Sequence, residues 1–249
     1  MIKDERYEKI LEILENERYI SATALAKKLY VSLPTVRRDL TELQRRNLII
    51  RSHGGAKKAE NGSYMIPLEF RKGVKQAEKK LLCQAAAKLV TDGSIIFIDA
   101  STTMLPLAEY LSQYKNLTVI TNGIPMTLML SKYGIKTFTT GGEVLESSRA
   151  YAGVYAEEFI SHFNFDVMLF SSHGVTSNGN ISDTSLPEAM LRRAVMKNTK
   201  KKVYVCDGEK FNVSAPYNVA PICEMDTVIT NGQLPSTFEL DRKKVVIVK

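Results

Sequence analysis

The chain has 249 residues, 44% of them hydrophobic and 24% charged, which is the balance of a globular protein long enough for two domains. Its start, Met1-Ile2-Lys3-Asp4-Glu5-Arg6, lacks an apolar signal core, and no later run approaches the roughly 18 apolar residues of a membrane span, so a cytoplasmic protein without membrane contact is expected. The net charge of +7 is concentrated in one place: nine lysines and arginines lie between Lys27 and Lys58, against Asp39 and Glu42 alone. Such a cluster is the electrostatic footprint of a phosphate-backbone binder.

Tyr7, Ile10, Leu11 and Leu14 fall at i, i+3, i+4 and i+7 and predict a helix from about Asp4 to Asn16. Ala22, Leu25, Ala26 and Leu29 repeat the spacing after Ser21, an N-cap. After Tyr30 and Val31, a second cap at Ser32 and a proline at position 34 open a third helix with Val36, Leu40 and Leu43 inward. Two short helices around so tight a turn form a helix-turn-helix. Seen down the third helix, Arg38, Thr41 and Arg45 lie about 140–200° away from Val36, on the side opposite the core. Thr35, Arg37 and Arg38 occupy the N-terminal positions that meet base edges when such a helix enters the major groove. A strand from Leu48 to His53 and a tight turn at Gly54-Gly55 complete a small basic wing. The DNA-contacting set is therefore expected to be Ser21, Ser32, Thr35, Arg37, Arg38, Thr41, Arg45, Arg51 and His53, with a double-stranded operator as partner. One short recognition helix covers few base pairs, so a homodimer or higher homo-oligomer is expected.

Ser32-Leu33-Pro34-Thr35-Val36-Arg37-Arg38-Asp39-Leu40, followed by His53-Gly54-Gly55-Ala56, resembles the signature of the DeoR family of bacterial sugar-metabolism regulators. The resemblance implies that Thr35, Arg37 and Arg38 read bases and that Arg51 and His53 belong to the wing.

Residues 58–74 lose periodicity and are expected as a linker between a DNA-binding domain, 1–57, and a second domain, 75–249. A helix is predicted from about Lys75 to Val90. Strands are then predicted at Ile95–Asp99, Leu117–Asn122, Lys136–Gly142, Val167–Ser172 and Lys202–Asp207, with Thr227–Thr230 and Lys244–Val248 extending them. Helices fit between, near Thr103–Tyr114, Ile124–Tyr133, Val154–Phe163 and Thr184–Asn198. The fold class expected is α/β: a winged helix-turn-helix followed by a mainly parallel, Rossmann-like sheet covered on both faces.

Ligands of such sheets bind beyond the C-terminal strand edges. The candidate effector residues there are Asp99, Ser101, Thr102, Thr103, Thr121, Asn122, Gly141, Gly142, His173, Asp207 and Lys210. The hydroxyl-rich loop 99–103, opening a helix at Thr103, suits an anion. The resemblance extends through this domain; it implies a fold similar to ribose-5-phosphate isomerase and a phosphorylated sugar as effector. Two departures are His173-Gly174, where relatives commonly place an aspartate, and Gly208-Glu209 before Lys210.

His53, His162 and His173 are isolated, so neither a metal nor a cofactor is expected. Cys83, Cys206 and Cys223 are odd in number and widely spaced, and are expected as buried thiols. Glu188 and Arg192, four apart, are placed for a salt bridge. The leading reading is a non-enzymatic transcription regulator, a repressor of a carbohydrate operon. The alternatives are a sugar-phosphate isomerase with an appended DNA-binding module, and a pure interaction protein.

Overall fold

Tyr7, Ile10 and Leu14 of one helix, Leu25 and Leu29 of the next, and Val36, Leu40 and Leu43 of the third are all buried against one another, each contributing about 1.5–3 kcal/mol. In the computed structural model, which describes residues 3–17, 19–45, 48–52, 54–58, 68–73 and 75–249, they form the core of the first of two units, Met1–Val74 and Lys75–Lys249. The first unit runs α1 (Lys3–Asn16), β1 (Ile20–Ser21), α2 (Ala22–Leu29), α3 (Leu33–Arg45), β2 (Ile49–Ser52), β3 (Gly55–Lys58) and α4 (Leu68–Gly73). Tyr30, in the left-handed conformation at φ 54°, ends α2 and makes the tight turn into α3.

The strands form an antiparallel sheet in the order β1-β3-β2, with Ser21 and Ser52 both opposite Gly55. Of the two glycines expected in the wing turn, Gly54 is in it, at φ 77°, and Gly55 is not. Gly55 is already in the strand, where a Cβ would lie 2.3 Å from the carbonyl oxygen of Ile20. The expected linker holds a second difference, α4, a helix too short to show a periodic pattern.

The second unit runs α5 (Gln76–Ala87), β4 (Ile95–Ile98), α6 (Leu107–Leu111), β5 (Thr118–Thr121), α7 (Ile124–Lys132), β6 (Lys136–Thr139), β7 (Glu143–Leu145), β8 (Ala150–Ala152), α8 (Val154–Ser161) and β9 (Phe165–Phe170). It continues β10 (Gly174–Val175), β11 (Asn180–Asp183), α9 (Leu186–Lys197), β12 (Thr199–Cys206), β13 (Tyr217–Pro221), β14 (Thr227–Thr230) and β15 (Val245–Ile247). Seven strands pair in parallel in the order β15-β14-β12-β9-β4-β5-β6. Alternate side chains face opposite ways: Ile96, Ile98, Val119, Val167 and Leu169 pack under α5, α6 and α7, while Phe97, Ile120, Met168 and Phe170 face α8 and α9. The doubly covered parallel sheet expected from the sequence is therefore present.

Three details differ. Residues 102–106 are turns and α6 begins only at Leu107, because Leu105 precedes a proline and is biased away from helix. Two antiparallel additions, β7-β8 and β10-β11-β13, rest on strands of two to five residues. Cys83 and Cys206 are buried, but Cys223 is exposed, on a one-turn 3-10 helix, Ile222–Glu224, whose buried residue is Ile222.

Strand order reverses at β4. The chain moves outward from β4 through β5 to β6, then returns to place β9 on the other side of β4 and moves out again through β12. This is a topological switch point, the place where a crevice opens at the C-terminal edge of an α/β sheet.

Candidate DNA interface and effector site

Arg37, Arg38 and Thr41 are exposed on α3, and Thr35 is half-buried at its start. The Ser32 hydroxyl meets the Thr35 hydroxyl at 2.8 Å and accepts from Thr35 N at 3.4 Å, the geometry of an N-cap. Ser21 caps α2 in the same way, accepting from Ala24 N at 3.1 Å, so its oxygen is already engaged. Arg51 of the wing donates to Thr41 Oγ1 at 2.9 Å, and Thr41 donates to the Arg37 carbonyl at 2.8 Å, tying wing to recognition helix. Asp39, next to the exposed arginines, is buried and accepts from Arg6 Nε at 2.7 Å and Nη2 at 3.0 Å, a two-point clamp of α1 onto α3. That clamp raises the Arg6 pKa, with the hydrogen bond to Asp39 outweighing burial. His53 and the side chain of Arg45 lie outside the described residues.

In the second unit the loops after β4, β9 and β12 meet. Asp99 is buried and uses both carboxylate oxygens: Oδ1 accepts from Ser101 N and Oγ at 3.2 and 2.7 Å, and Oδ2 from Ser171 N at 3.3 Å and from Arg192 Nε and Nη2 at 3.1 and 2.9 Å. Arg192, also buried, donates to Asp183 Oδ2 at 3.0 Å, and Glu188 lies 3.9 Å away. Burial pulls the Arg192 pKa down, but Asp183, Asp99 and Glu188 outweigh it and hold the guanidinium charged. Above this network Ser101, Thr102 and Thr103 present a buried hydroxyl loop. Lys79 donates to Thr102 Oγ1 at 3.2 Å. Lys210, from the far side, donates to Ser171 Oγ at 3.0 Å and to the Ser172 carbonyl at 2.7 Å. Lys79 and Lys210 thus donate to hydroxyls on two loops that Asp99 ties together at the switch point.

The remaining expected residues take other positions. Thr121, fully buried, accepts from Gly123 N at 3.1 Å. Asn122 donates to the Tyr151 carbonyl at 3.1 Å, and its buried Oδ1 has no hydrogen-bond partner among the described residues, so an acceptor is left there for a donor from outside the fold. Gly142, at φ 102°, sits where a Cβ would be 2.5 Å from the Ala152 carbonyl oxygen, so it serves the packing of β8, whereas Gly141, at φ 64°, faces open space. His173 is exposed, and the Ser172 hydroxyl turns inward to Tyr204 at 2.8 Å. Asp207 pairs with Lys75 at 2.8 Å and caps the 3-10 turn Gly208–Lys210. Burial raises the Asp207 pKa, but Lys75 and the Glu209 amide more than reverse this, leaving it below its ordinary value. The Lys75 pKa is lowered by burial and raised further by Asp207 and Glu209, ending above its own. Burial raises both inner thiols, Cys206 to about 12. No cluster of potential metal ligands occurs among the described residues.

Sequence reasoning missed Lys75, Lys79 and the reach of Arg192. A signal existed for Lys79: with Leu82, Cys83 and Ala86 it falls at i, i+3, i+4 and i+7, a cation on the apolar stripe of α5.

A winged helix-turn-helix in one unit and a polar switch-point crevice in the other define a transcription regulator with a sensor domain. The DeoR-like helix-turn-helix domain matches residues 6–61, and the DeoR C terminal sensor domain matches residues 74–232. The glycerol-3-phosphate regulon repressor of Escherichia coli (strain K12) is 32% identical over 237 residues, covering 94% of this chain and 93% of that one. The transcriptional repressor AccR of Agrobacterium fabrum is 30% identical over 249 residues, covering 98% and 96%. Among solved structures, a ribose 5-phosphate isomerase from Methanocaldococcus jannaschii aligns over 53% of each chain with TM-score 0.40 and 15% identity. The chain belongs to the DeoR family of DNA-binding transcriptional regulators. No helix among its described residues is long and apolar enough to cross a membrane.

Proposed function

We propose that the protein is a repressor whose sensor unit binds a small phosphorylated sugar or polyol at the switch-point crevice, without converting it, and thereby releases an operator held by the exposed face of α3. The observation that carries this reading is that Lys79 and Lys210 donate to the hydroxyls of Thr102 and Ser171, on two loops that Asp99 ties together. A dianionic phosphate placed there gains two cations and several short donors. The open acceptor of Asn122 is the partner for a ligand hydroxyl. Asp99 supports the loop from below, since both its oxygens are engaged, and this favours binding over turnover: a general base needs a free oxygen within hydrogen-bond reach of the substrate. Glycerol 3-phosphate is the first ligand to try, given the printed name of the Escherichia coli relative.

The test is calorimetry of the full chain with glycerol 3-phosphate and a set of hexose phosphates, each beside its dephosphorylated form. A phosphate ester should bind and its alcohol should bind far more weakly, and Thr102→Ala and Lys210→Ala should each lose affinity while the fold is kept. Equal binding of ester and alcohol removes the phosphate site; steady product formation makes the protein an enzyme.

A further inference from the structure

The β7-β8 hairpin turns at residues 146–149, and Ser148 is the buried residue of that turn, 3% exposed. A serine at a hairpin tip ordinarily has solvent as its partner. Ser148 Oγ is shielded and has no hydrogen-bond partner among the described residues, and the same holds for Asn122 Oδ1. A buried polar atom left unpaired costs the fold its full desolvation, so the pair calls for a reason other than stability.

The two atoms belong to one piece of structure. Gly123 is bridged antiparallel to Ala150, Tyr151 N donates to the Asn122 carbonyl at 2.8 Å, and Ile124 N donates to the Arg149 carbonyl at 2.9 Å. Asn122 thus directly precedes the bridge on one segment, and Ser148 directly precedes the bonded Arg149 on the other. Gly123 also lies against the loop after β4, where a Cβ on it would be 3.0 Å from Ala100 Cα. Hairpin turn, the turn after β5 and the hydroxyl loop 99–103 are therefore packed in series at the switch point.

The chemistry of the two atoms is specific. Asn122 Nδ2 donates to the Tyr151 carbonyl at 3.1 Å, which fixes the amide, so its open atom is an acceptor. A serine hydroxyl both donates and accepts. Together they suit an alcohol, which donates to Asn122 Oδ1 and accepts from Ser148 Oγ. A carboxylate or a second phosphate only accepts, and would oppose the Asn122 oxygen.

We propose that Ser148, with Asn122, binds the hydroxyl end of the effector, so that the β7-β8 turn selects monophosphate esters by the alcohol they carry away from the phosphate; the proposal rests on the reading of the crevice as the effector site. Ser148 is then a specificity residue on a hairpin turn, outside the strand-end loops that hold the other candidate contacts.

The test measures two quantities on the full chain: thermal unfolding without ligand, and calorimetric affinity for glycerol 3-phosphate and the hexose phosphates. Ser148→Ala removes a hydroxyl that has no partner in the fold, so the unfolding midpoint should equal or exceed that of the wild type, while affinity for an ester that binds should fall at least about fivefold. A hydroxyl with only a structural role would lower the midpoint instead. Unchanged ester affinity, a lowered midpoint or a variant that fails to fold overturns the proposal and leaves the effector reading standing; a wild type that binds none of the esters overturns both.

Discussion

Thr41 shows how one hydroxyl ties two elements together: it donates to the Arg37 carbonyl within α3 and accepts from Arg51 on the wing, so that helix and wing are joined. Arg38 is exposed on the same helix, and we propose that it meets base edges. Replacing it with alanine should cost about 1–3 kcal/mol of operator affinity and relax base preference, measured by competition between selected and scrambled duplexes. Arg51→Ala should weaken all duplexes alike and flatten the dependence on salt. The two glycines after β6 separate along different lines. Gly141→Ala should cost about 1–2 kcal/mol in denaturant unfolding, from backbone conformation alone, and Gly142→Ala more, because its Cβ would also meet the Ala152 carbonyl.

At the scale of elements, Arg192 of α9 joins β4, through Asp99, to β11, through Asp183. Arg192→Leu leaves carboxylates buried without their cation and should destabilise the sensor unit by roughly 3–5 kcal/mol in urea. The ion pair of Lys75 with Asp207 has a defined pH window. Asp207 is held below its ordinary 3.8, so its contribution to stability is complete above that value and is lost as pH falls through the lower folded value. Lys75 is held above its ordinary 10.5, so its contribution is complete below that value and is lost as pH rises through the folded value. The stability difference between wild type and Lys75→Gln should therefore be flat across neutral pH and vanish in acid; a difference that changes between pH 6 and 8 would contradict it. The elements themselves were legible wherever a period was long enough to count. Tyr7 to Leu14 and Val36 to Leu43 announce their helices, and the Ile95–Ile98 run its strand. The β10-β11-β13 sheet is hidden because Gly174–Val175 is too short for alternation to register, and the start of α6 is obscured because the hydroxyl run at 101–103 mimics a helix cap while Pro106 delays the helix to Leu107. In the site, Thr102 and Lys210 were visible from their places at strand ends. The engagement of Asp99 was not, since its partner Arg192 lies 93 residues away on another element.

For the whole molecule, a single recognition helix reads a short half-site, so we expect a two-fold assembly with half-sites one or more helical turns apart, about 34–36 Å each. Sedimentation at micromolar concentration should show a dimer or larger, and footprinting a repeated site. Val154 and Tyr155, exposed at the start of α8, and Val144 on β7 are the sensor-unit side chains to vary first. The central claim is that a phosphorylated small molecule in the crevice governs DNA binding. The most direct measurement is the affinity of the full chain for its selected duplex, titrated in parallel with glycerol 3-phosphate, hexose phosphates and their dephosphorylated forms. At least one ester should weaken the complex while its alcohol leaves it unchanged, and Lys210→Ala should abolish the response without altering ligand-free affinity; a duplex affinity indifferent to every ester, or equally sensitive to the alcohols, would contradict it.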